Sequence, residues 1–182
     1  MACTSYTLAG MPQECRGSVA GLKELYLGLL DDISAVTINA SAQTCTVAMN
    51  SGKTLYSYFV TDESSSLSST LTKNSQNGVK YYNNVVNATF VKMTPAKHIE
   101  LMAMANEKMV AVAVDNNNYA WFLGADSFVT ASEETAQTGQ SFDDLSGYQV
   151  TLNHRSGSLP YQISDWETFK ASNNVDTPDP SN

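Results

Sequence analysis

The sequence predicts a β-rich fold: an antiparallel β-sandwich or partly open barrel with one packed α-helix at about residues 95–107. Thr44–Met49 alternates hydroxyl and apolar side chains, which is the pattern of a half-buried strand. Thr54–Val60 is β-branched and aromatic, and turn-favouring Asn, Gly and Asp residues separate such runs along the chain. Because strong helix formers dominate only one segment, helices are expected to be a minor part of the fold.

The chain length of 182 residues indicates one domain with a real core. We expect residues 1–18 to be an N-terminal arm, residues 19–170 to be the single β-rich domain, and residues 171–182 to be a flexible tail. Two stretches rich in polar residues, 61–78 and 124–146, are predicted to be long loops inside the domain.

The strands are predicted from local patterns, and their pairing from the turns between them. The predicted strands are 33–38, 44–49, 54–60, 79–93, 109–114, 119–123, 147–154 and 159–163. Residues 19–33 fit both a helical stripe and an extended segment, and the extended segment is favoured because Gly21 and Gly28 weaken a helix. The predicted hairpins join 44–49 to 54–60, 109–114 to 119–123, and 147–154 to 159–163. Met109–Val114 is almost continuously apolar, which indicates a strand buried on both faces. Pro160 places the last strand at an edge, because proline cannot donate to the ladder.

The helix has clear start signals. Thr94 is a favourable N-cap residue, and Pro95 suits the first helical position. Ile99, Met102 and Ala103 share one side of this helix, while charged residues keep the rest partly polar.

Composition excludes some classes of function. Asp and Glu number 18 against 10 Lys and Arg, for a net charge of −8, which argues against a nucleic-acid-binding protein. No apolar run approaches the ~18 residues that a membrane helix requires, and the N-terminus lacks the pattern of a secretory leader. We therefore expect neither a membrane anchor nor secretion.

Catalytic and metal-binding patterns are missing from the sequence. It contains no phosphate-binding glycine loop, no nucleophile elbow and no zinc-protease helix motif. Cys3, Cys15 and Cys45 do not have zinc-ligand spacing, and His98 and His154 have no second ligand nearby in sequence. The sequence predicts no catalytic residue, no metal and no cofactor, hence a protein that is not an enzyme.

Several segments carry a resemblance to a known family. They are Leu22–Leu27 followed by Asp31–Ile33, Tyr119–Gly124 followed by an acidic loop, Asp144–Leu152, and Leu159–Tyr161. These segments, and the order of strands, one helix after a Lys-Met-Thr-Pro step and C-terminal hairpins, resemble tail tube (major tail) proteins of phages and prophages of Bacteroides-type bacteria. The resemblance covers most of residues 15–165.

The resemblance implies a structural virion protein, made in the bacterial cytoplasm and located in the phage tail. Its tail-tube-like subunit would form hexameric rings that stack into a channel for DNA delivery, with residues 61–78 and 1–18 bridging the rings. Its partners would be other copies of itself, a tape measure protein and a tail terminator. DNA would pass without specific binding, since an acidic wall repels phosphates.

Edge strands that are neither short nor strongly charged also favour self-assembly. The candidate inter-subunit or inter-ring contacts are Leu67, Leu71, Tyr6, Leu8, Pro160 and Tyr161, and the candidate channel or loop acids are Asp62, Glu63, Glu133 and Glu134.

Other functions stay open at this point. One alternative is another phage component: a head–tail connector, a tail terminator or a capsid decoration protein. A second is a monomeric module that binds carbohydrate or protein through a stacking platform. The aromatic residues of such a platform would be Tyr81, Tyr82, Tyr119 and Trp121. An enzyme that uses His98 or His154 is the last alternative.

Overall fold

A computed structural model describes residues 10–11, 17–61 and 63–176. In this part of the chain twelve strands and two α-helices form, which confirms a β-rich fold with few helices. The strands are β1 (Leu22–Leu29), β2 (Ile33–Asn39), β3 (Thr44–Met49), β4 (Leu55–Tyr58), β5 (Ser66–Asn74), β6 (Val79–Val91), β7 (Met109–Asp115), β8 (Ala120–Leu123), β9 (Val129–Gln137), β10 (Gly147–Ser156), β11 (Tyr161–Ile163) and β12 (Val175–Asp176). The helices are α1 (Pro95–Asn106) and α2 (Trp166–Phe169).

The described strands form one mixed sheet that does not close into a barrel. Its main path runs β2-β3-β11-β8-β7-β9-β10-β6-β5. Strand β1 pairs with β7 and with β4, and β4 also pairs with β12. The pairs β3–β11 and β4–β12 are parallel, and the others are antiparallel, so the predicted antiparallel character holds for most of the sheet.

Strand β7 separates two hydrophobic cores. Core 1 contains Met109, Ala111 and Ala113 of β7 with residues of β1, β6, β9 and β10. Core 2 contains the alternate β7 residues Val110, Val112 and Val114 with residues of β1, β3, β8, β11 and α2. Because side chains alternate along a strand, six successive apolar residues supply both cores at once. The prediction that this strand is buried on both faces is confirmed.

The predicted hairpin of 109–114 with 119–123 is confirmed by the pairing of Ala113 with Trp121. Its turn includes Asn118 at φ +63°, a conformation that Asn tolerates. The other two predicted hairpins are wrong. Strand β3 pairs with β2 and β11 rather than with β4, and β11 pairs with β8 and β3 rather than with β10. Alternation reports that a strand has a buried face, but it does not say which strand lies beside it.

The strand predicted at 159–163 is not at an edge, contrary to prediction. Strand β11 lies between β3 and β8. Pro160 immediately precedes it and is buried, so the missing N–H does not interrupt the ladder.

Both predicted loops contain strands, and the predicted tail begins too early. Strand β5 occupies much of 61–78, and β9 occupies much of 124–146. The predicted tail 171–182 overlaps a π-helical turn (Lys170–Asn174), which is followed by strand β12 paired with β4. The rest of the tail lies outside the described residues, and so does most of the predicted arm 1–18. Polar strands were missed because β5 exposes both faces and therefore needs no apolar alternation.

Helix α1 begins as predicted. The Thr94 hydroxyl accepts a hydrogen bond from the Lys97 backbone N–H at 3.4 Å, and Pro95 occupies the first position. The side that Ile99 and Met102 share faces solvent, with these residues 68% and 67% exposed. Met104 is the buried residue of the helix, so α1 covers one margin of core 1 rather than forming its centre.

Candidate functional site

Strand β5 is an open edge of the sheet. Its nine residues pair with β6 from Ser66–Asn87 to Asn74–Val79, and β6 is its only partner among the described residues. One charged residue, Lys73, stands next to the turn, and the strand contains no proline. Such an edge presents a row of free N–H and C=O groups without the charges that usually discourage pairing.

Strand β2 is the open edge at the opposite end of the main path. It pairs with β3 alone in the described part of the chain. Its sequence, ISAVTIN, carries no charge and no proline. A register shift between Ile33 and Ala35 bends only its first residues, because the ladder is regular from Ala35 to Asn39. Two unprotected edges therefore lie at opposite ends of one sheet.

The predicted contact residues divide between the open edge at β5 and the interior of the sheet. Leu67 and Leu71 both lie on β5, where Leu71 is exposed and Leu67 is half-buried against core 1. Tyr161 is half-buried against core 2 on β11, beside buried Pro160, so these two lie within the sheet rather than at an open edge. The other two candidates, Tyr6 and Leu8, lie outside the described residues.

The predicted acids do not form one cluster. Glu133 and Glu134 are neighbours on β9 and are exposed, and partial burial raises the pKa of Glu134. Glu63 is exposed before β5, with β10 and β6 lying between it and β9 in the sheet. Asp62 lies outside the described residues.

The aromatic residues proposed as a stacking platform lie in two places. Tyr119 and Trp121 are neighbours, with ring centroids 6.1 Å apart, and Trp121 donates its indole N–H to Asp115. Tyr81 and Tyr82 lie on β6, separated from β8 by three strands of the main path. The structure does not bring the four rings together.

Buried His154 belongs to a polar network that runs from buried Asn84 to exposed Asp126, and the sequence did not reveal it. His154 is 2% exposed on β10, and its Nδ1 lies 3.2 Å from the side-chain amide nitrogen of Asn84 on β6. Its Nε2 lies 3.6 Å from Asp126, which accepts hydrogen bonds from the Ser156 hydroxyl and the Gly157 N–H. Burial lowers the pKa of His154. The serine bonds the aspartate rather than the histidine, so these groups do not have the arrangement of a nucleophile and its base.

Other chemical groups are sparse in the described ranges. No cluster of three or more His, Cys, Asp or Glu side chains there could hold a metal ion. Cys45 is buried in core 2, and burial raises the pKa of its thiol to about 11, which disfavours the reactive thiolate. Among the helices of the described chain, none has the length and apolar character needed to span a bilayer.

A cavity of about 560 Å³ opens between α1 and the margin of the sheet. Aromatic and aliphatic side chains from four elements form most of its wall. They are Tyr56, Tyr58 and Phe59 at β4, Phe90 on β6, Leu101 and Met104 on α1, and Tyr148 on β10. A smaller cavity shares Tyr56, Tyr58, Glu100 and Met104 and continues along α1. We call the two together the α1 groove.

Polar groups of the α1 groove are fixed by hydrogen bonds. The Tyr58 hydroxyl donates to Glu100 at 3.0 Å, and burial together with the Glu100 charge raises the pKa of Tyr58. The Tyr148 hydroxyl accepts from the Thr94 N–H at 3.2 Å, so it ties β10 to the start of α1. Lys92 and Lys97 also line the larger cavity. Because the walls meet only in the folded chain, no local sequence pattern could have indicated this groove.

Comparisons with protein families, with curated proteins and with solved structures found no match to this chain.

Proposed function

We propose that this protein is a structural subunit of a phage tail tube, which assembles into rings by pairing β5 of one copy with β2 of the next. The observation that carries the proposal is the presence of two unprotected edges at opposite ends of one sheet. An interface between two different surfaces of the same chain is heterologous, and such contacts close into rings when the rotation permits. The sequence resemblance to tail tube proteins supports six copies per ring.

The energetics favour a ring over a dimer. Strand β2 has seven residues, so one junction holds only a few backbone hydrogen bonds. Each contributes about 1 kcal/mol net, against an association cost of roughly 4–15 kcal/mol. A single junction is therefore weak. Closure of the ring adds one further junction without bringing in another copy, so assembly should be cooperative and small oligomers should be rare.

Charge supports the proposed role in DNA delivery. The net charge of −8 makes the subunit repel phosphates as a whole, and the exposed neighbours Glu133 and Glu134 give β9 a local acidic surface. A channel with such a wall would let DNA slide without binding. Under this proposal the protein is not an enzyme, needs no cofactor, and contacts a tape measure protein and a terminator as its other partners.

The test is a charge exchange across the proposed junction, read by light scattering after size-exclusion chromatography and by negative-stain electron microscopy. Thr37 on β2 and Thr70 on β5 are both exposed. The variant Thr37→Lys/Thr70→Lys places like charges across the junction and should remain monomeric. The variant Thr37→Glu/Thr70→Lys places opposite charges there and should recover the rings and stacked tubes of the unmodified chain.

The matched control is Gln149→Lys, which adds a charge at an exposed position of β10, where that strand is paired on both sides. It should assemble normally. An unmodified chain that stays monomeric at high concentration would refute the proposal. Rings that never stack would instead identify a connector or terminator.

A further inference from the structure

The α1 groove has the dimensions and chemistry of a small-molecule site. Its larger cavity, of about 560 Å³, lies within the range of roughly 300–1,000 Å³ that is typical of ligand pockets. Its walls are mainly apolar, with a few polar groups at defined positions, which is the usual composition of such pockets. Nothing in the proposed edge pairing of β5 with β2 uses these residues.

The cations of the groove distinguish one class of ligand. The chain has 10 Lys and Arg against 18 acids, yet two lysines, Lys92 and Lys97, line this one cavity. Neither forms a salt bridge with a carboxylate of the described residues. Both positive charges are therefore available to an anion.

The backbone holds one of the two lysines in place. The Lys97 ammonium donates to the carbonyls of Val91 and Lys92, at 2.5 and 3.2 Å, where β6 ends. An ammonium has three N–H donors, so one remains for a ligand. Lys92 itself has φ +63°, and a non-glycine residue in this region carries backbone strain that often marks functional sites.

We propose that the α1 groove binds a small amphipathic organic anion, with its charged group on Lys92 and Lys97 and its apolar body against Tyr58, Phe90 and Met104. The apolar body would replace water along these walls, and the site would release that water on binding. The anion would gain charge-assisted hydrogen bonds at the margin of the cavity. Glu100, which already accepts from Tyr58, would disfavour a second negative group near the middle of the groove.

The experiment titrates the full chain with decanoate, decan-1-ol and decylamine, which share an apolar chain and differ in charge. Methyl-labelled methionines report the location by NMR, because Met104 lines the groove and Met49 packs against core 2 on the other side of β7. Decanoate should bind at one saturable site and shift the Met104 signal but not that of Met49. Decan-1-ol and decylamine should bind at least about tenfold more weakly, since they lack the charge-assisted contacts.

Matched variants separate the site from general surface charge. Lys92→Met and Lys97→Met keep the apolar part of the side chain and should each weaken decanoate binding by about tenfold. Lys80→Met removes an exposed lysine that is not in the groove and should leave binding unchanged. Ala96→Phe, which enlarges a groove residue at an exposed helix position, should block binding while preserving the circular dichroism spectrum.

Three results would overturn the inference: no saturable binding of decanoate, equal binding of decan-1-ol, or equal loss with Lys80→Met. Binding is measured per chain, so failure here would leave the edge-pairing proposal intact. Conversely, a monomeric protein that binds decanoate at Met104 would retain this site and lose the proposed tube.

Discussion

The hairpins β7–β8 and β5–β6 show how differently one folding unit can be used in the same sheet. Both are closed by turns in which an Asx side chain accepts backbone N–H groups: Asp115 accepts from Asn117 and Tyr119, and Asn74 accepts from Gln76 and Asn77. Hairpin β7–β8 is buried between two cores, whereas β5 exposes both faces and one whole edge.

The difference shows that turn chemistry specifies a hairpin but not its contribution to stability. Each apolar residue of β7 is removed from water on one face or the other, at about 1.5–3 kcal/mol for a fully buried valine. Strand β5 gains mainly backbone pairing with β6, because it buries little apolar surface. Three predictions test this contrast.

The largest effect is expected for Phe122→Ala on β8. Phe122 is fully buried in core 2, so its truncation should lower the free energy of unfolding by about 3–5 kcal/mol. The matched change on the exposed hairpin, Leu71→Ala, should cost no more than about 0.5 kcal/mol. Urea unfolding followed by circular dichroism measures both. Equal costs would mean that Leu71 is buried in solution and not exposed as in this structure.

A smaller effect is expected when the turn side chains are exchanged for alanine. Asp115→Ala leaves two backbone N–H groups and the indole N–H of Trp121 without their acceptor, and should cost about 2 kcal/mol. Asn74→Ala leaves the backbone N–H groups of Gln76 and Asn77 to bond with water at an open turn, and should cost about 0.5–1 kcal/mol. A larger loss for Asn74→Ala than for Asp115→Ala would contradict this ranking.

The smallest effect is a pH dependence beside the middle of the exposed hairpin, where His154 contacts Asn84 of β6. Burial holds the pKa of His154 below its usual value, so the unfolded chain binds this proton first as the pH falls. Stability should therefore be complete well above pH of about 6.5, the usual pKa of histidine in an unfolded chain, and should decrease as the pH falls through that value. Urea unfolding at about pH 7.5 and about pH 5.5 measures the difference.

The control for this pH effect is the exposed histidine of α1. His154→Gln should remove most of the dependence, and His98→Gln should not. Because His154 contacts Asn84 of β6, amide protection factors should decrease at low pH on β6 before they decrease on β7. A uniform decrease over both strands would show that the network does not act locally.

Sequence reasoning succeeded where the signal is local. The helix start at Thr94 and Pro95, the two-faced burial of Met109–Val114, and the turn ending at Asn118 each depend on a few consecutive residues. It failed for β5, because Leu67 and Leu71 are spaced equally well for a helical turn and for one face of a strand. It also failed for partners of β3 and β11, which lie far away in sequence.

The candidate site was predictable only in part. The sequence predicts Leu71 as a contact with a neighbouring subunit, and Leu71 lies exposed on the open edge strand β5. The α1 groove was missed, since Tyr58, Phe90, Met104 and Tyr148 come from four elements and share no spacing.

By itself the sequence determined the β-rich class, the start of α1 and the strand that separates the cores, because backbone preference and side-chain period act over a few residues. The tertiary structure alone decided which strands pair, that β2 and β5 stay open at the ends of the main path, and where the groove forms. The physical reason is that pairing and cavities depend on which apolar faces are buried against each other, and that choice is made by segments distant in the chain.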